Sequence, residues 1–428
     1  MQLVAYGAQD VYLTGSPKVT FFQAVYKRHT NFAMENIEQV VNGTAADSAR
    51  LSVTVARNGD LIGEMYLEMT PSDAGAALSA TSTNDATAPD LNWIAERAVA
   101  DIELTIGGQR IDKHYQKWWR LYSELYLDEA KKIQYGKMTS TTDTTADFGK
   151  VFLPMVFFFN RNPGLYLPLI ALQYHEVRLD ITLQATYATY FDTNAVKVWG
   201  NYVYLDTEER RRFAQKGHEY LIEQVQHTGV DTVNDTAAAK QVRLSYNHPV
   251  KELVWCFSAN GTAPTGNDLW DTSNGAGSNV TTISSAGVAR VAANSTVASL
   301  STVGAPLMVV NGSQWVSEEA AAGGPLSTFK LILNGQDRFK EQSGKYFNQV
   351  QPFYHHSGNP YLGVYSYSFA LKPEEHQPTG TCNFSRIDNA QVEVKTKGST
   401  TKTSMHMFAV NYNVLRIQSG MGGLAFSN

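Results

Sequence analysis

Leu51, Val53 and Val55 alternate with Ser52 and Thr54, and Met65, Leu67 and Met69 alternate with Glu64, Tyr66 and Glu68. A period of two puts every second side chain on one face of a pleated strand, so each run predicts a half-buried β-strand. The period returns at Ile102, Leu104 and Ile106, and at Val177, Leu179, Ile181 and Leu183. Shorter strands are predicted at Val242 and Leu244, Phe329 to Leu333, Tyr365 to Phe369, Val392 and Val394, and Phe408 to Leu415, with turn-rich stretches between them. Short strands with one apolar face at this spacing predict an all-β sandwich or barrel. Helical spacing is rarer. Asp112 to Asp128 carries Tyr115, Trp118, Trp119, Tyr122, Leu125 and Tyr126 at three- and four-residue intervals, which predicts one surface helix. Thr207 to Lys216 opens with Thr and two acids and ends basic, as a short helical linker does. The stretches 70–90, 136–150 and 258–304 are rich in small and polar residues and read as loop insertions between strands.

Two segments recur. Leu104-Thr-Ile-Gly-Gly108-Gln109 resembles Leu331-Ile-Leu-Asn-Gly335-Gln336, each an alternating strand ending in a glycine turn. Further on, Pro168, Tyr174 and Val177 have the mutual spacing of Pro378, Phe384 and Ile387, and each set leads into another alternating strand. Two copies of one β-domain explain both matches, with chance similarity of strand-turn segments as the alternative. A length of 428 residues also favours two domains over one core.

Hydrophobic residues at 43% and charged residues at 18% describe a globular chain and exclude disorder as the main state. Thirty-five Lys and Arg against 40 Asp and Glu leave a net charge of -5, which repels a phosphate backbone, so direct nucleic-acid binding is not expected. The longest apolar run, Val151 to Phe159, contains Pro154 and falls far short of the ~20 residues a membrane helix needs. The first ten residues lack the pattern of a secretion signal, so maturation in the cytosol is expected. Cys256 and Cys382 are too few for a disulfide framework and read as reduced, packed thiols.

No phosphate loop, zinc-protease helix or nucleophile elbow occurs, so no catalytic, cofactor or metal site is expected. His355 and His356 adjoin Ser357-Gly-Asn-Pro360 without a carboxylate or cysteine at ligand spacing and read as loop histidines. Glu64 and Glu68 share a strand face roughly 13 Å apart, too far for an acid-base pair, and read as a solvated face. Arg210-Arg-Arg212 follows Asp206, Glu208 and Glu209, which cancel its field, so a linker or interface role is expected. Trp118 and Trp119 could stack a sugar or base, but on an amphipathic helix at least one of them is expected to pack inward, and core packing is the favoured reading. Of seven sequons, Asn260, Asn279, Asn294 and Asn311 cluster in an exposure-type stretch and are candidate glycosylation sites.

Gln2-Leu-Val-Ala-Tyr-Gly-Ala-Gln-Asp-Val-Tyr-Leu-Thr-Gly15, followed by Phe21-Phe22 and Tyr26-Lys-Arg-His-Thr-Asn-Phe32, resembles the opening of major capsid proteins of large eukaryotic DNA viruses. Arg57-Asn-Gly-Asp60, Ile106-Gly-Gly-Gln-Arg-Ile-Asp-Lys-His-Tyr115, Pro168-Leu-Ile-Ala-Leu-Gln-Tyr-His-Glu176 and Leu333-Asn-Gly-Gln-Asp-Arg-Phe339 are similar to that family in the same order. So are Thr381-Cys-Asn-Phe-Ser-Arg-Ile-Asp-Asn389 and the segment from Asn411 to Asn428. The likeness is strongest to the algal-virus branch and leaves out variable loops around 70–90, 136–150, 225–240 and 258–325. It implies two tandem eight-stranded jelly rolls with a few short surface helices, a double jelly roll. The divisions are an N-terminal arm at 1–25, a first jelly roll at 26–206, a linker at 207–222 and a second jelly roll at 223–428. It further implies homotrimeric, pseudo-hexagonal capsomers of an icosahedral virion shell, assembled in the host cytoplasm. Neighbouring capsomers and minor capsid proteins would be partners of the arm, and the outer loops would carry glycans or host contacts. On the residues alone, a carbohydrate-binding or hydrolytic β-sandwich stands beside this reading.

Overall fold

The structure, a computed structural model, describes residues 7–18, 24, 26–71, 93–140, 149–234, 236, 238–259, 283–284, 287–288, 324–360, 363–397 and 402–426. The first half supplies β1 Phe32–Gln39, β2 Arg50–Thr54, β3 Leu61–Met69, β4 Val99–Ile106, β5 Gln109–Tyr115, β6 Val151–Pro154, β7 Val177–Leu183 and β8 Lys197–Leu205. Helices α1 Gln116–Leu125 and α2 Glu129–Thr139 lie between β5 and β6, and α3 Thr207–Gln215 follows β8. The second half supplies β9 His218–Thr232, β10 Lys240–Leu244, β11 Pro249–Ser258, β12 Leu326–Leu333, β13 Gln336–Asp337, β14 Val364–Ser368, β15 Ala390–Thr396 and β16 Ser404–Gln418. Helix α4 Gln351–His355 precedes β14, and β17 Met421–Leu424 folds back on β16.

Both halves use one topology. The first forms a sheet in the order β1-β8-β3-β6 facing a second in the order β2-β7-β4-β5. The second half repeats this as β9-β16-β11-β14 facing β10-β15-β12-β13. Two sheets whose first, last and third strands lie side by side are a jelly roll, and the chain is a double jelly roll. The recurrent glycine segments are the matching hairpins: Ile106 pairs with Gln109 around Gly107-Gly108, and Leu333 with Gln336 around Asn334-Gly335. Both central residues have positive φ in each hairpin, 58° and 82° in the first and 52° and 77° in the second. Glycine and asparagine tolerate that conformation, and it matches the twist of the strands it joins.

Alternation along β2, β3, β4 and β7 buries Leu51, Val53, Met65, Leu67, Ile102, Leu104, Leu179 and Ile181 between the first pair of sheets. The second core is more aromatic, with the Trp255 ring stacked on Phe329 at 4.4 Å between centroids and Phe347 and Tyr365 beside it. The first core does not stop at the first barrel. Val254, Cys256, Val364, Phe408 and Val410, on the outer face of the second barrel, belong to the same apolar cluster as Trp118.

Three sequence readings need correction. The helix expected over Asp112–Asp128 begins only at Gln116, because 112–115 extend β5 opposite β4. It is also no surface helix, since Trp118 and Trp119 are each 1% exposed. The variable loop expected at 225–240 is strand as far as Thr232, paired with β16, and the one expected at 136–150 is helical to Thr139. The linker helix forms, with Asp206 as the residue preceding its first turn and Thr207 inside it. The insertions expected at 70–90 and 258–304 fall largely outside the described residues.

Candidate assembly surfaces

The best-defined contact in the chain joins the two barrels. It begins where β5 turns into α1. Tyr115, the last residue of β5, sets its ring edge-on to His227 at 4.9 Å, and His227 stacks on Phe408 at 4.4 Å. One turn into α1, Trp118 lies 5.7 Å from the same Phe408. Polar atoms close the rim. The Asp112 carboxylate accepts the Val225 N–H at 3.1 Å, Gln224 donates to the Ile111 carbonyl, and Leu424 N–H donates to Gln109 Oε1 at 3.1 Å. Buried aromatic contacts bordered by satisfied hydrogen bonds are the anatomy of a permanent interface.

Beside this apolar patch lies a line of buried charge. Arg161 pairs with Glu223 at 3.1 Å, and Lys251 reaches the same carboxylate at 2.7 Å while donating to the Pro373 carbonyl at 2.6 Å. Burial alone would lift the Glu223 carboxyl, but Arg161 and Lys251 override it and hold it below its ordinary value. Burial pushes the Lys251 ammonium down, with Glu223 opposing. Farther along, the His356 ring, fully buried, pairs with Glu252 at 3.1 Å and with Glu374 at 3.3 Å, and Tyr126 of the first barrel sits edge-on to it at 5.4 Å. Burial would lower the His356 pKa, yet the two carboxylates carry it to about 9. Of these pairs Arg161–Glu223 crosses from the first barrel to the second, and leaving either of its charges alone costs ~3–5 kcal/mol, so it holds the barrels in one relative position.

His355 and His356 are therefore unlike the loop histidines the sequence suggests. His355, the last residue of α4, bonds the Leu371 carbonyl through its Nδ1 at 3.0 Å, whereas the ring of His356 is buried against carboxylates brought from β11 and from beyond β14. Among the described residues no group of three or more His, Cys, Asp or Glu could hold a metal ion. Glu64 accepts the Tyr166 hydroxyl at 2.6 Å. Glu68 accepts Trp199 Nε1 at 2.7 Å and pairs with Lys150 at 3.1 Å; it is buried rather than solvated, a correction to the sequence reading. Arg210 bonds both oxygens of Asp60, at 3.0 and 3.1 Å, and ties α3 to the first barrel. Trp118 and Trp119 both pack inward, and Trp119 Nε1 donates to the Pro154 carbonyl at 3.2 Å. Cys256 is buried and Cys382 half-buried, both as free thiols. Asn260, Asn279, Asn294 and Asn311 lie outside the described residues. Sequence reading missed Asp112, Arg161, Glu223, Lys251, Glu252 and Glu374; the one signal available was ionisable residues inside an otherwise apolar strand run, at Lys251 and Glu252.

Comparison with known proteins agrees with this architecture. The family model described as large eukaryotic DNA virus major capsid protein matches residues 209–423, and the one described as major capsid protein N-terminus matches residues 20–206. The major capsid protein of Paramecium bursaria Chlorella virus 1 is 41% identical over 467 aligned residues, covering 100% of this chain and 99% of that protein. That of Pyramimonas orientalis virus is 40% identical over 463, with the same coverage. The capsid chain in the quasi-atomic model of the PBCV-1 virus capsid superposes with a TM-score of 0.74 at 38% identity, covering 96% of this chain and 100% of that one. The Faustovirus major capsid protein shares the fold at a TM-score of 0.67 and 13% identity.

Proposed function

Because the chain belongs to the major capsid protein family of large eukaryotic DNA viruses, we propose that three copies close into a pseudo-hexagonal capsomer and that such capsomers tile an icosahedral shell. One observation carries the reading: both barrels repeat the same strand order. Three chains bring six like barrels to a ring, so threefold symmetry approximates sixfold packing. The chain is a structural protein rather than an enzyme, and its relatives lend no support to a carbohydrate-binding or hydrolytic β-sandwich.

In this reading residues 1–25 form an arm that reaches neighbouring capsomers and minor capsid proteins, 26–206 and 223–428 are the two jelly rolls, and 207–222 link them. The exposed Val11, Tyr12 and Leu13 suit an arm that finds its cover on another chain. Asn260, Asn279, Asn294 and Asn311 are the candidate glycan sites, and the exposure-type composition of the stretch that holds them supports glycans and host contacts there. Intact-mass analysis of virion protein tests the glycans, and an unmodified mass removes them. Assembly takes place in the host cytoplasm, which immunolabelling of infected cells checks. The net charge of -5 supports a shell that does not bind the genome directly. The main test is the solution mass by size-exclusion chromatography with light scattering. Three times 47.3 kDa is expected, and a monomer at every concentration refutes the trimer.

A further inference from the structure

Four histidine rings lie at or beside the junction of the barrels, and they are of two kinds. His114 and His356 each face a carboxylate, Asp112 at 3.0 Å and Glu252 at 3.1 Å, so charge on either ring is matched. His227 and His406 bond uncharged oxygens instead. His227 Nδ1 donates to the Met407 carbonyl at 2.9 Å, and His406 Nε2 is hydrogen-bonded to Ser258 Oγ at 2.9 Å. Both stand on the sheet face that the first barrel covers. Cys256 is the register partner of His406 and Val254 that of Phe408, and Val254, Cys256 and Phe408 share one apolar cluster with Trp118. The rings of His227 and His406 stack at 6.3 Å between centroids, with Tyr115 closing on His227 from the first barrel.

The charged groups around this pair favour the neutral rings. Toward His406, α1 presents Lys117, which is itself buried and meets Lys402 and Arg97, with Glu96 opposing. Strand β11 presents the Cys256 thiol and the Ser258 hydroxyl, and β9 presents His227. Toward His227, β5 presents Tyr115, whose ring lies under Lys113, and Lys113 is paired with Asp101. Asp231, farther along β9, favours charge on His227, and Lys240 draws on it as well. Burial, with Lys117 and His227 adding to it, brings His406 down to about 3, and burial holds His227 below its ordinary value against the Met407 bond and Asp231. A folded-state value below the unfolded one leaves stability intact above about pH 6.5 and removes it as pH falls toward about 3.

We propose that acid opens the junction: His227 and His406 each take a proton from solvent, and two cations then stand beside Lys117 between surfaces packed as apolar ones. The barrels part along Tyr115, Trp118 and Phe408, while each keeps its own core, Val53 and Leu104 in one and Trp255 and Phe329 in the other. The junction's ion pairs do not drive the change. His356 is charged throughout this range, and Glu223 is held below its ordinary value by Arg161 and Lys251 against burial. The device lies inside one chain and does not depend on the trimer reading.

The test follows the Cys256 thiol, which faces the junction and so reports the barrels of one chain parting rather than copies separating. The parent chain and His227→Gln/His406→Gln, both carrying Cys382→Ser, are treated with dithiodipyridine, which reacts with thiols in acid as well as at neutrality. Gln keeps a donor for the Met407 carbonyl and for Ser258 but takes no charge. Rates are divided by those of the urea-unfolded chain at the same pH, and far-UV circular dichroism checks that the strands remain. From pH 7 to pH 4 the relative rate should rise by on the order of tenfold in the parent and stay flat in the variant. An equal rise in both, or none in the parent, overturns the switch. A second measurement needs no variant. Exchange of the imidazole C–H for deuterium, read by mass spectrometry, gives the pH at which each ring of the wild-type chain gains its proton. His227 and His406 should gain theirs over the range in which Cys256 becomes reactive, and protonation of both rings with the thiol still closed overturns the proposal.

Discussion

The His356 ring gives the junction between the barrels a pH dependence with a definite sign. Its pKa is about 9 in the folded chain against an ordinary 6.5. A folded-state value above the unfolded one means the protonated ring contributes its full stabilisation below about pH 6.5 and loses it as pH rises through about 9. The shift corresponds to about 3 kcal/mol, roughly 300-fold in the folded-to-unfolded ratio. Replacing His356 alone would leave Glu252 buried without its partner and add a titration of its own, so the informative reference is His356→Gln/Glu252→Gln. Lys117, whose pKa burial lowers to about 8, gains stability over an overlapping range and masks the effect in the wild-type curve by itself. It is common to both proteins and cancels in their difference. Urea unfolding followed by tryptophan fluorescence, at one protein concentration and several pH values, should show the stability difference falling by about 3 kcal/mol from pH 6 to pH 10. A difference constant across that range refutes the assignment of His356 as a charged member of the junction.

Trp118→Ala should cost about 3–5 kcal/mol, because it empties a large site against Phe408. Calorimetry should then resolve two unfolding transitions, where a single unshifted one would contradict the coupling of the barrels. Arg210→Ala loses a half-exposed pair with Asp60 and should cost under about 1 kcal/mol. It should nevertheless speed tryptic cleavage at Arg211 and Arg212, and an unchanged rate would mean the pair does not hold α3. The Cys256 thiol, pushed up to about 11 by burial with Lys117 opposing, should resist maleimide at pH 8 until the protein is denatured. Mass spectrometry locates the label, and rapid native labelling of Cys256 would contradict its burial.

What the sequence made legible follows from which faces are covered. Strands β2 and β4 bury mainly one face, so their alternation is plain, and β3 and β7 keep polar residues such as Glu64, Glu68, Arg178 and Asp180 on the second face, so the period survives there too. Strand β11 bears Leu253, Trp255 and Phe257 inward and Val254 and Cys256 against the first barrel, so from Val250 on it is buried throughout and has no period to read. The run from Asp112 to Tyr115 fits both periods, and only pairing with β4 settles it as strand. The hairpins at Gly107-Gly108 and Asn334-Gly335 were legible because their backbone conformation restricts residue type. Hardest to see was the charge line. Arg161 and Glu223 are joined by no spacing rule, because packing one barrel on the other is what brings them together, and Glu252 and His356 meet only when β11 and the turn after α4 pack within the second barrel.

Phe408, which covers Trp118, sits on β16, among the last strands in chain order. During synthesis, then, the first barrel can fold well before its aromatic helix has a lid. For the time a ribosome takes to add the second barrel, Trp118 and Tyr115 face the cell's other proteins, a window in which unfinished chains are prone to associate wrongly. Polypeptides broken off before β16 never leave that window, so translation errors in the last strands should feed chaperones and proteases rather than contaminate the growing lattice.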